Sequence, residues 1–465
     1  MLINRDDTIV APATNTNISA ALGIIRLSGK QAIEIADKVF LAQNKKLNSL
    51  QQAKANHTYF GTIEYEGKTI DEVVLSVYFA PHSFTGENLV EISFHGSLYI
   101  CQTLLNMFIS LGARMAEKGE FSERAFLNGK INLSQAEAIA DVIASRNGFS
   151  LDMAMNQLRG GYNDMLHSLR EKFLKVASLL ELEIDFSEEH EIFVDREKLL
   201  QELNETQDLL TKLCDSFKQA NAFKQGIPVA IVGKPNSGKS TLMNAILKEE
   251  RVIVSNIAGT TIDTIEERFF IKGVEYRFID TAGIRESKNE IEKQGIERSF
   301  KAIEKAMFIL VISDISEKEE EWGKSKQDIL KGIKLEDKKL IHILNKEDKA
   351  KLSDKEKEDL KCKGYVIISA KEKHGLESLL EKIESMTPKT DFNNKVFLSN
   401  TRHYQIMNKA LEEIKLAIQN VEAGISSDLI AENIRMATNY IGEITGEVCN
   451  EDILGNIFSN FCIGK

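Results

Sequence analysis

Gly233-Lys234-Pro235-Asn236-Ser237-Gly238-Lys239-Ser240 places two glycines, a lysine and a hydroxyl at the spacing that wraps a nucleotide phosphate. The glycines let backbone N–H groups curl round a β-phosphate, and a helix starting at the loop adds its positive end. Lys239 is expected to reach the β and γ phosphates and Ser240 to ligate Mg2+, with Asn236, Ser237, Gly238 and Thr241 completing the phosphate-binding segment. In Gly259-Thr260-Thr261, a hydroxyl, taken as that of Thr261, can complete the Mg2+ shell only while a γ-phosphate holds the loop closed. Asp280-Thr281-Ala282-Gly283 follows, with Asp280 near the metal through water and the Gly283 amide facing the γ-phosphate.

Two further segments read the base. In Asn345-Lys346-Glu347-Asp348 the aspartate can accept from N1 and the exocyclic N2 of guanine, a donor pair that adenine lacks, and in Ser369-Ala370-Lys371 a backbone amide can meet O6. The fixed order, each segment at the carboxyl end of an apolar run, points to GTP over ATP. Ile284 stands where Ras-like proteins carry a water-orienting glutamine, and it cannot position water. Asn236, Glu290 and Glu292 are the candidates for supplying that function.

These segments need strands and helices to hold them. The apolar runs Val229 to Val232, Phe269 to Ile271, Tyr276 to Ile279, Met307 to Ile312, Leu340 to Leu344 and Tyr365 to Ile368, mostly separated by polar helical stretches, predict an α/β domain with a largely parallel sheet. Before it, Asp7 to about Arg114 mixes β-branched runs (Val73 to Tyr78, Leu89 to Ser93) with helical stretches at Gln31 to Phe40 and Leu98 to Leu111, a compact α+β domain. Met155 to Ile184 carries one apolar stripe, predicting a long helix. Ser134-Gln135-Ala136-Glu137 offers a capping box, and Glu197 to Lys218 a further helix. Helical texture returns after Pro388, so the nucleotide domain reads as inserted into one helical domain whose halves pack together; a separate C-terminal helical domain is the alternative.

Composition sets the outer bounds. With 465 residues, 43% of them hydrophobic, the chain can fill two to four domains, and its five prolines leave little room for long flexible linkers. Lys plus Arg number 59 against 70 for Asp plus Glu, a formal charge of -11, so no chain-wide positive field holds nucleic acid. Cys101, Cys214, Cys362, Cys449 and Cys462 show no CxxC or Cys/His pairing, which speaks against zinc or a disulfide framework and fits a reducing cytoplasm. No run approaches a membrane span and the first residues have no signal-peptide core, so a soluble cytoplasmic protein is expected.

Segments outside the nucleotide motifs resemble the MnmE (TrmE) family of tRNA uridine modification GTPases, from Asp7-Thr8-Ile9-Val10-Ala11 to the last residue. They are Ser83-Phe84-Thr85-Gly86-Glu87, Gly119-Glu120-Phe121-Ser122-Glu123-Arg124-Ala125-Phe126-Leu127-Asn128-Gly129-Lys130, Gln135 to Asp141 and Phe461-Cys462-Ile463-Gly464-Lys465. The resemblance implies an N-terminal domain similar to tetrahydrofolate-binding folds (1–118), a helical domain in two parts (119–221 and 389–465) and an inserted Ras-like G domain (222–388). It also implies a homodimer through the N-terminal domains, with G domains that dimerise during turnover.

The resemblance gives K+ the role of an arginine finger, held by Asn236, Ser255, Ile257 and Thr260 in the loop that also contains Asn256 and Ala258, and it makes Glu292 the water-positioning acid. Arg26, Glu91, Lys130 and Lys465 match its folate pocket, where a carboxylate suits a pterin amide edge and cations suit a glutamate tail. Thr14 to Ala21 departs from the family's glycine-rich stretch. Cys462 would lie near the one-carbon unit of 5-formyl- or 5,10-methylene-tetrahydrofolate, either assisting chemistry or packing. The implied activity is a K+-stimulated, Mg2+-dependent GTPase. With its FAD-containing partner MnmG it would install a carboxymethylaminomethyl or aminomethyl group at C5 of the wobble uridine, meeting tRNA mainly through the complex. A regulatory GTPase of ribosome assembly or RNA binding, without covalent chemistry, is the rival reading.

Overall fold

The structure, a computed structural model, describes residues 7–14, 18–43, 47–185, 195–249, 253–254, 267–279, 303–331, 338–350, 352–388, 397–448, 451–459, 461 and 463–464. Two compact units divide the chain. One comprises Met1–Ile143, Met155–Gln207 and Ile406–Lys465, and the other Ala144–Ala154 and Asp208–Gln405. Residues 221 and 222, the expected boundary of the nucleotide domain, lie inside the unbroken helix Arg196–Gln225. Among the described residues, no helix is long and apolar enough to cross a membrane.

In the first unit, strands β1 (Ile9–Pro12), β2 (Leu22–Ser28), β3 (Phe40–Ala42), β4 (His57–Tyr65), β5 (Lys68–Tyr78), β6 (Leu89–His95) and β7 (Arg114–Met115) form a sheet in the order β3-β4-β5-β6-β2-β1-β7. Neighbours are antiparallel except β1 and β7. Alternate positions, Ile25, Leu27, Val73, Leu75, Val90 and Ile92, share a core with Ile33 and Ile35 of helix Ala32–Asp37 and with Leu104 and Phe108 of helix Leu98–Ser110. The helix expected to reach Phe40 ends at Asp37, because Phe40 is taken up by pairing with Ile63 in the β3–β4 ladder.

The stripe from Met155 to Ile184 is divided between two helices, Gly148–Leu158 and Gly161–Asp185. Gly160, at φ +99°, turns the chain into the left-handed region and ends the first helix. The cap expected at Ser134 also lies elsewhere: Asn132 Oδ1 accepts from Gln135 N–H at 2.8 Å, and Gln135 Oε1 accepts from Asn132 N–H at 3.0 Å. Ser134 is buried inside the helix Leu133–Ala144 that this reciprocal pair begins. Gly161–Asp185 packs along Ser427–Thr445. The helical segments on either side of the nucleotide-type sequence therefore share one unit. A last helix, Glu451–Phe458, lies beyond the helical stretches read from the sequence; its Ile457 and Phe458 join Leu133, Ala136 and Phe461 in a small core.

In the second unit, β8 (Ile227–Val232), β9 (Ile253–Val254), β10 (Arg268–Ile271), β11 (Val274–Phe278), β12 (Phe308–Asp314), β13 (Lys339–Asn345) and β14 (Val366–Ile367) are ordered β14-β13-β12-β8-β11-β10-β9. The five strands from β14 to β11 run parallel, and β10 and β9 extend the sheet antiparallel. Both faces are covered: Val229, Ile231, Leu310 and Ile312 enter one core, Ala230, Val232, Ile309 and Val311 another. This two-sided burial explains why β8 and β12 read as continuous apolar runs without alternation.

Candidate functional site

Parallel strands deliver their carboxyl ends to one edge of the sheet, and the nucleotide motifs follow β8, β13 and β14 there. The loop after β8 turns through Asn236 at φ +62° and Gly238 at φ +103°, then enters the helix Lys239–Leu247. Glycine is required twice for space. A Cβ on Gly233 would lie 2.3 Å from the Ile312 carbonyl, and one on Gly238 2.2 Å from Asn345 Nδ2. The helix Lys239–Leu247 begins with Lys239, Ser240 and Thr241, so its positive end faces the loop, where the helix dipole favours an anion.

Lys239 Nζ donates to the carbonyls of Gly233 at 2.8 Å and Lys234 at 2.9 Å, so the loop curls round its own lysine. Burial holds this ammonium below the usual lysine range, a cost that phosphate oxygens would offset. Ser237 Oγ is buried with no hydrogen-bond partner inside the same loop, and a buried hydroxyl facing a phosphate cradle fits a nucleotide as its partner.

Asn345, the last residue of β13, joins three segments: its Nδ2 donates to the Ser237 carbonyl at 2.9 Å and its Oδ1 accepts from Ala370 N–H at 3.0 Å. Asp348 Oδ1 accepts from Ser369 Oγ at 2.6 Å, which holds its carboxyl below the usual carboxylate range. Lys346, in the left-handed region at φ +69°, is pinned by Asp314 Oδ2 at 2.6 Å. Asp314 ends β12, and its carboxyl stays low because Lys346 and Ser316 outweigh the upward push of burial. Sequence reasoning missed Asp314, whose one signal was an acid closing an apolar run. Lys371 is exposed and paired with Glu372 at 3.2 Å. Ser255, Asn256, Ile257, Ala258, Gly259, Thr260, Thr261, Asp280, Thr281, Ala282, Gly283, Ile284, Glu290, Glu292, Cys449, Cys462 and Lys465 lie outside the described residues, as do Asn15, Thr16 and Asn17 of the Thr14 to Ala21 loop.

In the N-terminal sheet, Arg26 of β2 and Glu91 of β6 face each other in register and are paired, Nε to Oε1 at 2.9 Å and Nη2 to Oε1 at 2.5 Å. The guanidinium lies 5.6 Å from the ring centres of Phe84 and of Phe121. Lys130 donates to the Pro81 carbonyl at 3.0 Å and borders Gly86. A flat ring with an amide edge fits this mix of carboxylate, cation and aromatic faces. Beside β1, a Cβ on Gly464 would lie 2.1 Å from the Pro12 carbonyl, and Ile463 bridges to Lys118, so the chain end returns to this sheet.

The same domain holds an ion network that sequence reasoning did not find. Arg124, 3% exposed, pairs with Asp7 (2.5 Å), Glu120 (2.9 Å) and Glu87 (3.2 Å), and Arg114 pairs with Asp7 (2.7 Å) and Glu120 (2.6 Å). The three segments that carry the N-terminal resemblance converge on it. The carboxyls of Asp7 and Glu120 stay low because the two guanidiniums overcome the upward push of burial.

A phosphate-loop motif and the segments Asn345–Asp348 and Ser369–Lys371, gathered on one edge of a largely parallel sheet, define a GTP-binding protein of the P-loop class. Residues 8–130 match the family described as GTP-binding protein TrmE N-terminus, and residues 133–462 the MnmE helical domain. The chain belongs to the MnmE family of tRNA modification GTPases. It is 46% identical to the tRNA modification GTPase MnmE of Christiangramia forsetii over 99% of both chains, and equally so to that of Flavobacterium psychrophilum. Identity to the Bacteroides thetaiotaomicron protein of the same name is 42%, over 99% of this chain and 100% of that one. Among solved structures, a variant of Aquifex aeolicus Era bound to GDP and AlF4- is 27% identical over 41% of this chain and 67% of that one, with a TM-score of 0.27. The G domain of the T. maritima FeoB iron transporter is 26% identical over 34% of this chain and 97% of that one, with a TM-score of 0.25.

Proposed function

We propose that this GTPase hydrolyses GTP to drive modification of C5 of the wobble uridine in tRNA, together with an FAD-containing partner of the MnmG type. The observation that carries the nucleotide half is Asn345, whose one side chain ties the phosphate loop at Ser237 to the base-reading loop at Ala370. Asp348, oriented by Ser369, selects guanine through its N1 and N2 donors, and the Ala370 amide takes O6. Lys239 leaves the Gly233 and Lys234 carbonyls for the β and γ phosphates. Ser240 and Thr241 frame the anion with the first-turn amides.

Ser240 and Thr261 would hold Mg2+, while Asn236, Ser255, Ile257 and Thr260 would hold K+. When bound, these cations offset the negative charge that develops between the β and γ phosphates. Glu292 orients the attacking water where Ile284 does not. Arg26 and Glu91 open their mutual pair to a tetrahydrofolate derivative, with Lys130 and Lys465 at its glutamate tail and Cys462 near the one-carbon unit. A homodimer, docking of tRNA mainly through the partner complex, and a cytoplasmic location complete the reading. Nucleoside analysis of tRNA from cells lacking this gene tests it. Loss of the C5-substituted wobble uridine is expected, and an unchanged nucleoside profile would overturn the modification role.

A further inference from the structure

Glu347 belongs to Asn345-Lys346-Glu347-Asp348 but has no task in reading the base. Its side chain is nonetheless only 10% exposed, and it accepts from Lys357 Nζ at 2.7 Å and His374 Nδ1 at 2.6 Å. Burial pushes its carboxyl up, and the hydrogen bonds from Lys357 and His374 more than offset this, holding it below the usual range. Its backbone N–H donates to the carbonyl of Ile368, directly before Ser369, at 3.1 Å. His374 closes the loop from Ser369: the N–H of each donates to the carbonyl of the other, at 3.0 and 3.1 Å.

One carboxylate therefore fastens the turn carrying Asp348 to the loop carrying Ser369 and Ala370, from outside the base site. The turn needs such a tie. Lys346 holds a left-handed backbone at φ +69° without being glycine, a conformation that persists only where surrounding contacts enforce it. Lys357 adds a third anchor from helix Asp354–Cys362, which follows the turn. A hollow of about 710 Å3 is lined by Glu347, Lys357, His374 and Gly375, so water reaches the clamp.

We infer that Glu347, clamped by His374 and Lys357, is a positioning residue for guanine selection, holding Asp348 and the Ala370 amide at the separation one guanine edge spans. This rests on the base-reading role proposed above for Asp348. Inosine triphosphate isolates the effect, because it keeps O6 and N1–H but lacks the N2 amine that the second Asp348 oxygen accepts.

The test is displacement of a fluorescent guanine nucleotide from the 465-residue chain by GTP and by ITP. Glu347→Ala and His374→Ala are each expected to lower the GTP-to-ITP affinity ratio about five-fold. His374→Gln, which keeps a side-chain N–H, should recover most of that ratio. The double variant should be no worse than Glu347→Ala alone, as for two halves of one contact. An unchanged ratio in both single variants, or equal weakening of GTP and ITP, overturns the inference. If Glu347→Ala does not fold, the His374 variants decide, since that ring is 72% exposed. An unsubstituted chain that binds GTP and ITP equally would bring down the base-reading role itself, and the clamp with it.

Discussion

Lys239 is a half-buried cation whose partners are two carbonyls of its own loop, so an arriving phosphate would balance its charge. Lys239→Met should reduce GTP turnover about 100-fold or more, measured as phosphate release at saturating Mg2+, because a preorganised positive charge at the transferring group is lost. Arg124 poses the opposite case, a charge already satisfied. Arg124→Met leaves Glu120, which is fully buried, together with Asp7 and Glu87, short of positive charge, and should cost about 3–5 kcal/mol in urea denaturation. The same network predicts an acid limb. The folded carboxyls of Asp7 and Glu120 lie below their ordinary values of 3.8 and 4.5, so their stabilisation is complete above those values and lost as pH falls through the depressed ones. In Arg124→Met this limb should flatten. The Asp7 pairing was invisible to spacing, because Asp7 and Arg124 are 117 residues apart in the chain, whereas Glu120 and Arg124 stand four apart on one helix.

Helix ends were the least legible elements, and the reasons are local. Period and apolarity read Met155 to Ile184 as one helix, but the left-handed turn at Gly160 outweighs a continuous stripe. Ser134 and Asn132 both have cap chemistry, and the chain uses Asn132 because Ser134 is needed inside the packed helix, where its Oγ and carbonyl accept from Gln157 Nε2. Glycines with positive φ separate into two kinds. A Cβ added to Gly67, at φ +73°, would meet nothing within 4 Å, so Gly67→Ala should cost only the backbone term, about 1–2 kcal/mol. Gly119, at φ +71°, would place its Cβ 2.7 Å from the Phe458 carbonyl and 3.0 Å from Phe461 Cβ. Gly119→Ala should therefore cost more than Gly67→Ala in thermal unfolding and expose helix Glu451–Phe458 to limited proteolysis; equal losses would contradict the close approach.

At the scale of the molecule, potassium offers the discriminating measurement. GTP turnover should be several-fold faster in KCl than in NaCl at equal ionic strength, and equal rates would discard the assignment of Asn236 to a cation. The sequence alone determined the order of nucleotide motifs, the parallel strands that carry them and the two-part helical segment, because phosphate binding and two-sided burial each demand residue types at short, fixed spacing. It also carried the family's signature segments. Tertiary structure alone decided what those signatures do for one another: Asp7, Glu87, Glu120 and Arg124 meet as one buried charge network, Arg26 finds Glu91 across a ladder, and Glu347 finds His374 across two loops. Charges act over a few ångströms wherever the chain brings them together, and separation along a sequence places no bound on that.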